Sequence, residues 1–201
     1  MFVAYSQKTT VAFAVQVDSD FLYEKGWTTF DRNPRFCYDV DGDGLADLVG
    51  FADDGVYVQF STGNSFQPKT LLLSGLGFNA GWTSQNSFPR CLGNVKNLIG
   101  GADIIGFGSD GVYVSNFNGS TFTAPTLMIS GQYGVGSGWT TFDATPRLCT
   151  DMDGDGRTDI IAFGPTTTSV VYAQSDGTFA QTAETTTQMT SGFTSYDVNP
   201  R

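Results

Sequence analysis

The chain has no histidine, and it carries only 10 lysines and arginines against 20 aspartates and glutamates, a net charge of −10 over 201 residues. A nucleic-acid binder needs a cationic stripe to displace counterions from phosphates, so that class is excluded. The same deficit argues against an anionic membrane surface as a partner, and no run of about 18 apolar residues is present to cross a bilayer. Without histidine the commonest general base is missing. No serine or cysteine stands in an activated constellation, so the chain does not read as an enzyme. Cysteine is sparse too. Cys37, Cys91 and Cys149 each follow one or two residues behind a similarly placed arginine. Equivalent points on neighbouring units tend to lie too far apart for disulfide geometry, so all three are expected to be small buried thiols. The N-terminal stretch MFVAYSQKTTVAFAVQV alternates instead of showing a charged region followed by an apolar one, so no secretion signal is read there.

Glycine, threonine, valine, phenylalanine and tyrosine are abundant, and strong helix formers are few. That balance favours strands joined by glycine-rich turns, an all-β chain. The strands come in repeats. GWTTFDRNPR, GWTSQNSFPR, GWTTFDATPR and GFTSYDVNPR open successive units at Trp27, Trp82, Trp139 and Phe193, spaced by 55, 57 and 54 residues. A period of this length signals stacked supersecondary units. Within the first unit, alternation and turn residues predict strands at 35–38, 46–51, 56–60 and 66–74. The second unit predicts strands at 103–108, 111–114 and 125–130, and the third at 159–164 and 170–173 with a threonine-rich fourth. Four antiparallel strands per unit describe the blade of a β-propeller. The division is one repeat domain over 1–201: a partial unit at 1–26, repeats at 27–81, 82–138 and 139–192, and a partial unit at 193–201. Segments 2–5 and 11–17 read as third and fourth strands only, which brings the count to about 3.6 repeats. Propellers close with more blades than this, so a dimeric ring of two copies, or a fragment of a longer propeller, is expected.

Two units carry an acidic loop, DVDGDGLAD at 39–47 and DMDGDGRTD at 151–159. A hard cation such as Ca²⁺ takes six to eight oxygens from carboxylates, backbone carbonyls and water. Asp39, Asp41, Asp43 and Asp47 would supply side-chain oxygen with the Leu45 carbonyl. Asp151, Asp153, Asp155 and Asp159 would do so with the Arg157 carbonyl. An EF-hand starts similarly but ends on Glu at position 12, between helices. Here position 12 is Gly50 or Ala162 and the flanks are strands, so two structural calcium sites of another type are expected. In the second unit Asn94 and Lys96 replace Asp39 and Asp41. There the ammonium is expected to stand in for the cation, opposite Asp103.

The loop followed by a GF-containing strand, as in DVDGDGLADLVGF and DMDGDGRTDIIAFG, resembles the FG-GAP/VCBS repeats of integrin-type propellers. The fuller order of GW, PR, acidic loop, DIIGFG, GVYVS and NG-TF looks like the Psathyrella velutina-type fungal lectins, over nearly the whole chain. This resemblance implies calcium in blade loops and pockets between adjacent blades for N-acetylglucosamine-type or sialylated glycans. Those lectin repeats commonly place histidine before the Pro-Arg pair, where this chain has Asn33, Phe88, Thr145 and Asn199. Sugar sites combine an aromatic platform with planar hydrogen-bonding groups. The candidates are Trp27 with Arg35, Trp82 with Arg90, and Trp139 with Arg147. The other reading of the same residues packs each tryptophan between blades and pairs each arginine with a loop aspartate. At the level of function, a secreted glycan-binding propeller stands beside an integrin-like structural or adhesion propeller that binds protein.

Overall fold

The computed structural model describes residues 20–96 and 101–180 together with short strand segments at either end. Four of these segments come first: β1 (Phe2–Val3), β2 (Ser6–Gln7), β3 (Thr10–Val11) and β4 (Val15–Gln16). β1 pairs with β4 and β2 with β3, all antiparallel. The expected partial unit at 193–201 lies outside the described residues.

Three four-stranded antiparallel sheets follow, each a simple meander. The first contains β5 (Arg35–Tyr38), β6 (Asp47–Phe51), β7 (Val56–Gln59) and β8 (Thr70–Leu73). The second contains β9 (Arg90–Gly93), β10 (Asp103–Phe107), β11 (Gly111–Ser115) and β12 (Thr126–Ser130). The third contains β13 (Arg147–Thr150), β14 (Asp159–Phe163), β15 (Thr168–Val171) and β16 (Glu184–Thr186). The chain is thus all-β, as its composition and alternation require. The fourth strand of the first unit starts later than expected because Phe66 bridges back to Ser61 and closes the preceding turn. Pro68, which has no N–H for a ladder, stands before the strand rather than within it. In the third unit the third strand begins at Thr168, and Ala173 is used instead in a bridge to Phe179.

The second strand of each unit explains how the sheets associate. DLVGF, DIIGF and DIIAF are buried along their whole length, because both faces of each strand are covered. In β10, Ile104 packs into a core with Val49, Phe51, Val56 and Val58 of the first sheet. Its neighbour Ile105 points the other way, into a core with Ile160, Ala162 and Val171 of the third. One strand therefore serves two interfaces through the period of two in its side chains. Each such fully buried aliphatic side chain contributes roughly 1.5–3 kcal/mol. Recurring backbone hydrogen bonds join the units at their rims: Ala102 N–H donates to the Val40 carbonyl at 3.1 Å, and Thr158 N–H to that of Asn94 at 2.7 Å. At Gly111 φ is +147°, and a Cβ there would collide with the Ile129 carbonyl, so the bulged pairing of β11 with β12 admits only glycine.

The expectation of three separate thiols fails. Cys91 and Cys149 form a disulfide across 58 residues, with their Cα atoms 6.4 Å apart, while Cys37 is free and exposed. The reason is a one-residue offset. Cys91 follows its arginine directly and Cys149 follows one residue later, and β9 lies beside β13 where the sheets converge. Strictly equivalent positions would not have met. Closing a loop of this length restricts the unfolded chain and typically adds about 2–4 kcal/mol. Reduction is therefore expected to lower the melting temperature by about 4–16 °C for a chain of this size, read by circular dichroism with and without dithiothreitol. A C91S/C149S variant that melts with the parent would remove this contribution.

Candidate functional site

The acidic loops are shaped before any ligand is considered. The Asp39 carboxylate accepts N–H groups from Gly42 (2.7 Å) and Gly44 (2.9 Å), and Asp151 repeats this with Gly154 (2.7 Å) and Gly156 (2.8 Å). Gly42, Gly44, Gly154 and Gly156 all take positive φ, between 80° and 87°, which lets the chain curl around its own carboxylates. Ligand oxygens of Asp39, Asp41 and Asp43 lie within 4.8 Å of one another, as do those of Asp151, Asp153 and Asp159. The Asp155 carboxylate is paired with Arg157, whose Nε also donates to the Ala173 carbonyl at 2.9 Å. Clustered carboxylates on a curled loop, with little opposing charge, suit a hard divalent cation.

The last aspartate of each loop has a second duty that the sequence alone did not reveal. Asp47 accepts N–H groups from Val40 (2.8 Å) and Ser61 (2.7 Å), and Asp159 accepts them from Met152 (2.9 Å) and Ala173 (2.8 Å). Asp103 does the same with Val95 (3.0 Å) and Phe117 (3.2 Å), although its unit has lost the other loop carboxylates. This aspartate clamps the loop to the far end of the third strand in all three of the described four-stranded units. Burial pushes the Asp103 carboxyl up, and its hydrogen bonds and the charge of Lys96 pull it part of the way back. The Lys96 stem also crosses Gly177 of the third unit, where an added Cβ would meet its methylenes.

At the opposite rim, the GW-to-PR loops form a chain of contacts. Asp31 accepts hydrogen bonds from Ser84 Oγ (2.7 Å) and Asn86 N–H (2.9 Å) of the next loop. Asn86 Oδ1 in turn accepts the Phe142 N–H (2.8 Å) of the loop after that. The arginines at the ends of these loops hold backbone carbonyls. Arg90 Nη1 donates to the Leu76 and Trp82 carbonyls at 3.0 and 3.3 Å, and Arg147 Nη1 to those of Tyr133 and Trp139 at 3.1 and 3.0 Å. Each guanidinium lies over a phenylalanine of the preceding sheet, Phe51 or Phe107, at 5.1 and 5.6 Å. Arg90 and Arg147 are both 1% exposed, and burial pushes each down to about 10. Neither pairs with a loop aspartate among the described residues. Arg35 donates to the Phe21 carbonyl at 2.9 Å and is only half-buried. Arg90 and Arg147 border a cavity of about 590 Å³ between the first strands, with Phe30, Phe36, Phe107 and Phe142 among its walls.

Trp27 and Trp82 are 4% and 9% exposed, each laid over the glycine of its own GF strand. A Cβ at Gly50 would come within 2.5 Å of Trp27, and one at Gly106 within 2.6 Å of Trp82. In the third unit Ala162 occupies that position, and Trp139 is less buried, with Gly164 close to its ring. Arg90 and Arg147 are thus bonded to the carbonyls of Trp82 and Trp139, with the Arg147 guanidinium 6.0 Å from the Trp139 ring centroid, whereas Arg35 bonds the Phe21 carbonyl instead. The exposed edge of Trp82 helps line a cleft of about 340 Å³ with Phe88, Tyr113 and Pro125, and with Ser109 and Asp110 at its mouth. Tyr113 Oη donates to Asp110 at 3.5 Å, and the first unit repeats the arrangement with Tyr57 Oη and Asp54 at 2.9 Å. These tyrosines and aspartates were not among the expected ligand residues. Their signal in the sequence was the Asp-Gly-Val-Tyr phrase, which reads equally well as a turn followed by a packed strand.

An Agrocybe aegerita lectin, whose structure accounts for specific recognition of non-reducing terminal N-acetylglucosamine, is similar over 93% of this chain at 32% identity, with a TM-score of 0.83. This chain covers 46% of that lectin's length. No protein-family model matches the sequence, and no curated protein matches it either. Among the described residues, no helix is long and apolar enough to cross a membrane.

Proposed function

We propose that this chain is a lectin-like β-propeller that binds N-acetylglucosamine-type glycans in clefts beside its tryptophans, with calcium in the two acidic loops. The similarity in sequence and fold to an N-acetylglucosamine-recognising lectin carries the reading, and it supports binding rather than catalysis. The cleft over Trp82 agrees with it chemically. Trp82 and Tyr113 offer apolar ring faces for the C–H side of a pyranose, while Asp110 and Ser109 offer groups for its hydroxyls. Its size falls within the range of small-molecule sites. Calcium in the loops would hold the blade turns rigid, with Asp39, Asp41 and Asp43 in one and Asp151, Asp153 and Asp159 in the other as the nearest donors. An extracellular setting belongs to the same proposal, in keeping with the Cys91–Cys149 disulfide, since such bonds persist in oxidising compartments.

A glycan array in calcium tests the proposal: binding to glycans that end in N-acetylglucosamine is expected, and no binding to any glycan would sink it. Asp110 is exposed, so Asp110→Ala should leave the fold intact yet weaken binding about 10-fold, the effect of losing a hydrogen bond from a charged group. Calorimetric titration with N-acetylglucosamine reads this directly.

A further inference from the structure

The second-unit cleft is lined by Ala80, Phe88, Gly108, Ser109 and Pro125 where the first unit has Lys25, Asn33, Ala52, Asp53 and Lys69, and of these replacements Lys69 is the one whose charge lies against the aromatic rings. Above Trp82 and Tyr113 the second-unit cleft is open, with Pro125 at its edge. Pro125 stands immediately before β12, and the residue immediately before β8 in the first unit is Lys69. Lys69 Nζ lies 4.9 Å from the ring centroid of Tyr57, 5.8 Å from that of Trp27 and 5.9 Å from that of Phe21. An ammonium so placed is attracted by the negative faces of all three rings. It covers the counterparts of the two rings that Pro125, short and uncharged, leaves free in the second unit.

We infer that Lys69 is a built-in occupant of the first-unit cleft, and that a sugar must displace its ammonium from Trp27 and Tyr57 before it can stack there. The inference rests on the carbohydrate-binding reading. The Tyr–Asp pair corresponds between the two units: Tyr57 with Tyr113, and Asp54 with Asp110, in the same hydrogen bond. A competing cation–π contact of this kind weakens binding on the order of 2- to 30-fold relative to an open cleft. The second unit is then the primary site, and the first engages at higher ligand concentration or on multivalent glycans, where a weak second contact still adds avidity.

The full chain, labelled with ¹⁵N at its tryptophan indoles and held in calcium, reads each cleft separately during titration with N-acetylglucosamine. The Trp82 signal is expected to move first and that of Trp27 at a midpoint roughly 2- to 30-fold higher. Lys69→Ala should lower the Trp27 midpoint and leave that of Trp82 in place, and Lys69→Arg, which keeps the cation, should leave both where they are. Equal midpoints in the parent, or a Trp27 midpoint unmoved by Lys69→Ala, would overturn the inference while leaving glycan binding in place. If no indole responds to sugar, the carbohydrate reading falls and the inference falls with it. Acrylamide quenching of Trp27 in a Trp82→Phe/Trp139→Phe background separates the two failures, because it should rise in Lys69→Ala only if the lysine shields the ring.

Discussion

Chelating divalent cations is expected to lower the melting temperature of this chain by about 10–20 °C. The figure follows from the proposal of two calcium sites. A ligand present at about a hundred times its dissociation constant stabilises the folded state by about 2.7 kcal/mol per site, and each kcal/mol moves the midpoint by about 2–4 °C at this size. Thermal melts in calcium and in EGTA provide the measurement, and coincident melts would remove calcium from the account. The loop geometry makes a finer distinction testable. Among the described residues the Asp151 carboxylate accepts hydrogen bonds from its own loop glycines and from no neighbouring strand, so Asp151→Asn should reduce the calcium-dependent part of the stability. Asp159 is fully buried and also accepts the Met152 and Ala173 N–H groups. Asp159→Ala should therefore cost an additional 2–6 kcal/mol or so even in EGTA, since each buried donor left without a partner costs about 1–3 kcal/mol.

Replacing Arg90 by methionine is expected to destabilise the fold by about 3–5 kcal/mol, a fall of about 6–20 °C in melting temperature. The guanidinium holds the Leu76 and Trp82 carbonyls and is held in turn by Gln85 Oε1 at 3.1 Å, so its loss strands buried acceptors on both sides of the loop. Arg147→Met should behave alike, as it bridges the Tyr133 and Trp139 carbonyls. Arg35→Met should cost only about 1–2 kcal/mol, because one carbonyl is served and the side chain is half in water. A ligand-binding arginine would give the opposite pattern, with sugar affinity lost and the melt unchanged. Chemical denaturation of the three variants, read by tryptophan fluorescence, decides between them.

The fate of these residues shows where sequence patterns stop. Trp and Arg recur together at fixed spacing, and a shared ligand site is a fair reading of that pattern. Spacing along the chain does not say which way two side chains point after a turn. Here the loop brings the Arg90 and Arg147 guanidiniums to backbone carbonyls, while the Trp27 and Trp82 rings are buried over a glycine. The cysteines make the same point from the other direction. Their positions relative to the repeat arginine were visible in the sequence, but the one-residue offset that lets Cys91 reach Cys149 acquires meaning only once β9 and β13 lie side by side.

Much of the architecture was determined by the sequence alone, because it is written in local rules. The period of the GW-to-PR phrase sets the units, and alternation and glycine turns set the strands; β5 begins and ends at the residues the pattern predicts. The acidic loops were legible in part: three of the four aspartates expected in each converge, while Asp47 is held by backbone N–H groups and Asp155 by Arg157. Tertiary structure alone decided the rest. It buried Arg90 and Arg147, made the last loop aspartate a clamp on the next strand, joined two cysteines of different units and set Lys69 over three aromatic rings. Each of these depends on distances between segments far apart in the chain, and those distances arise only when the sheets stack on one another's buried faces.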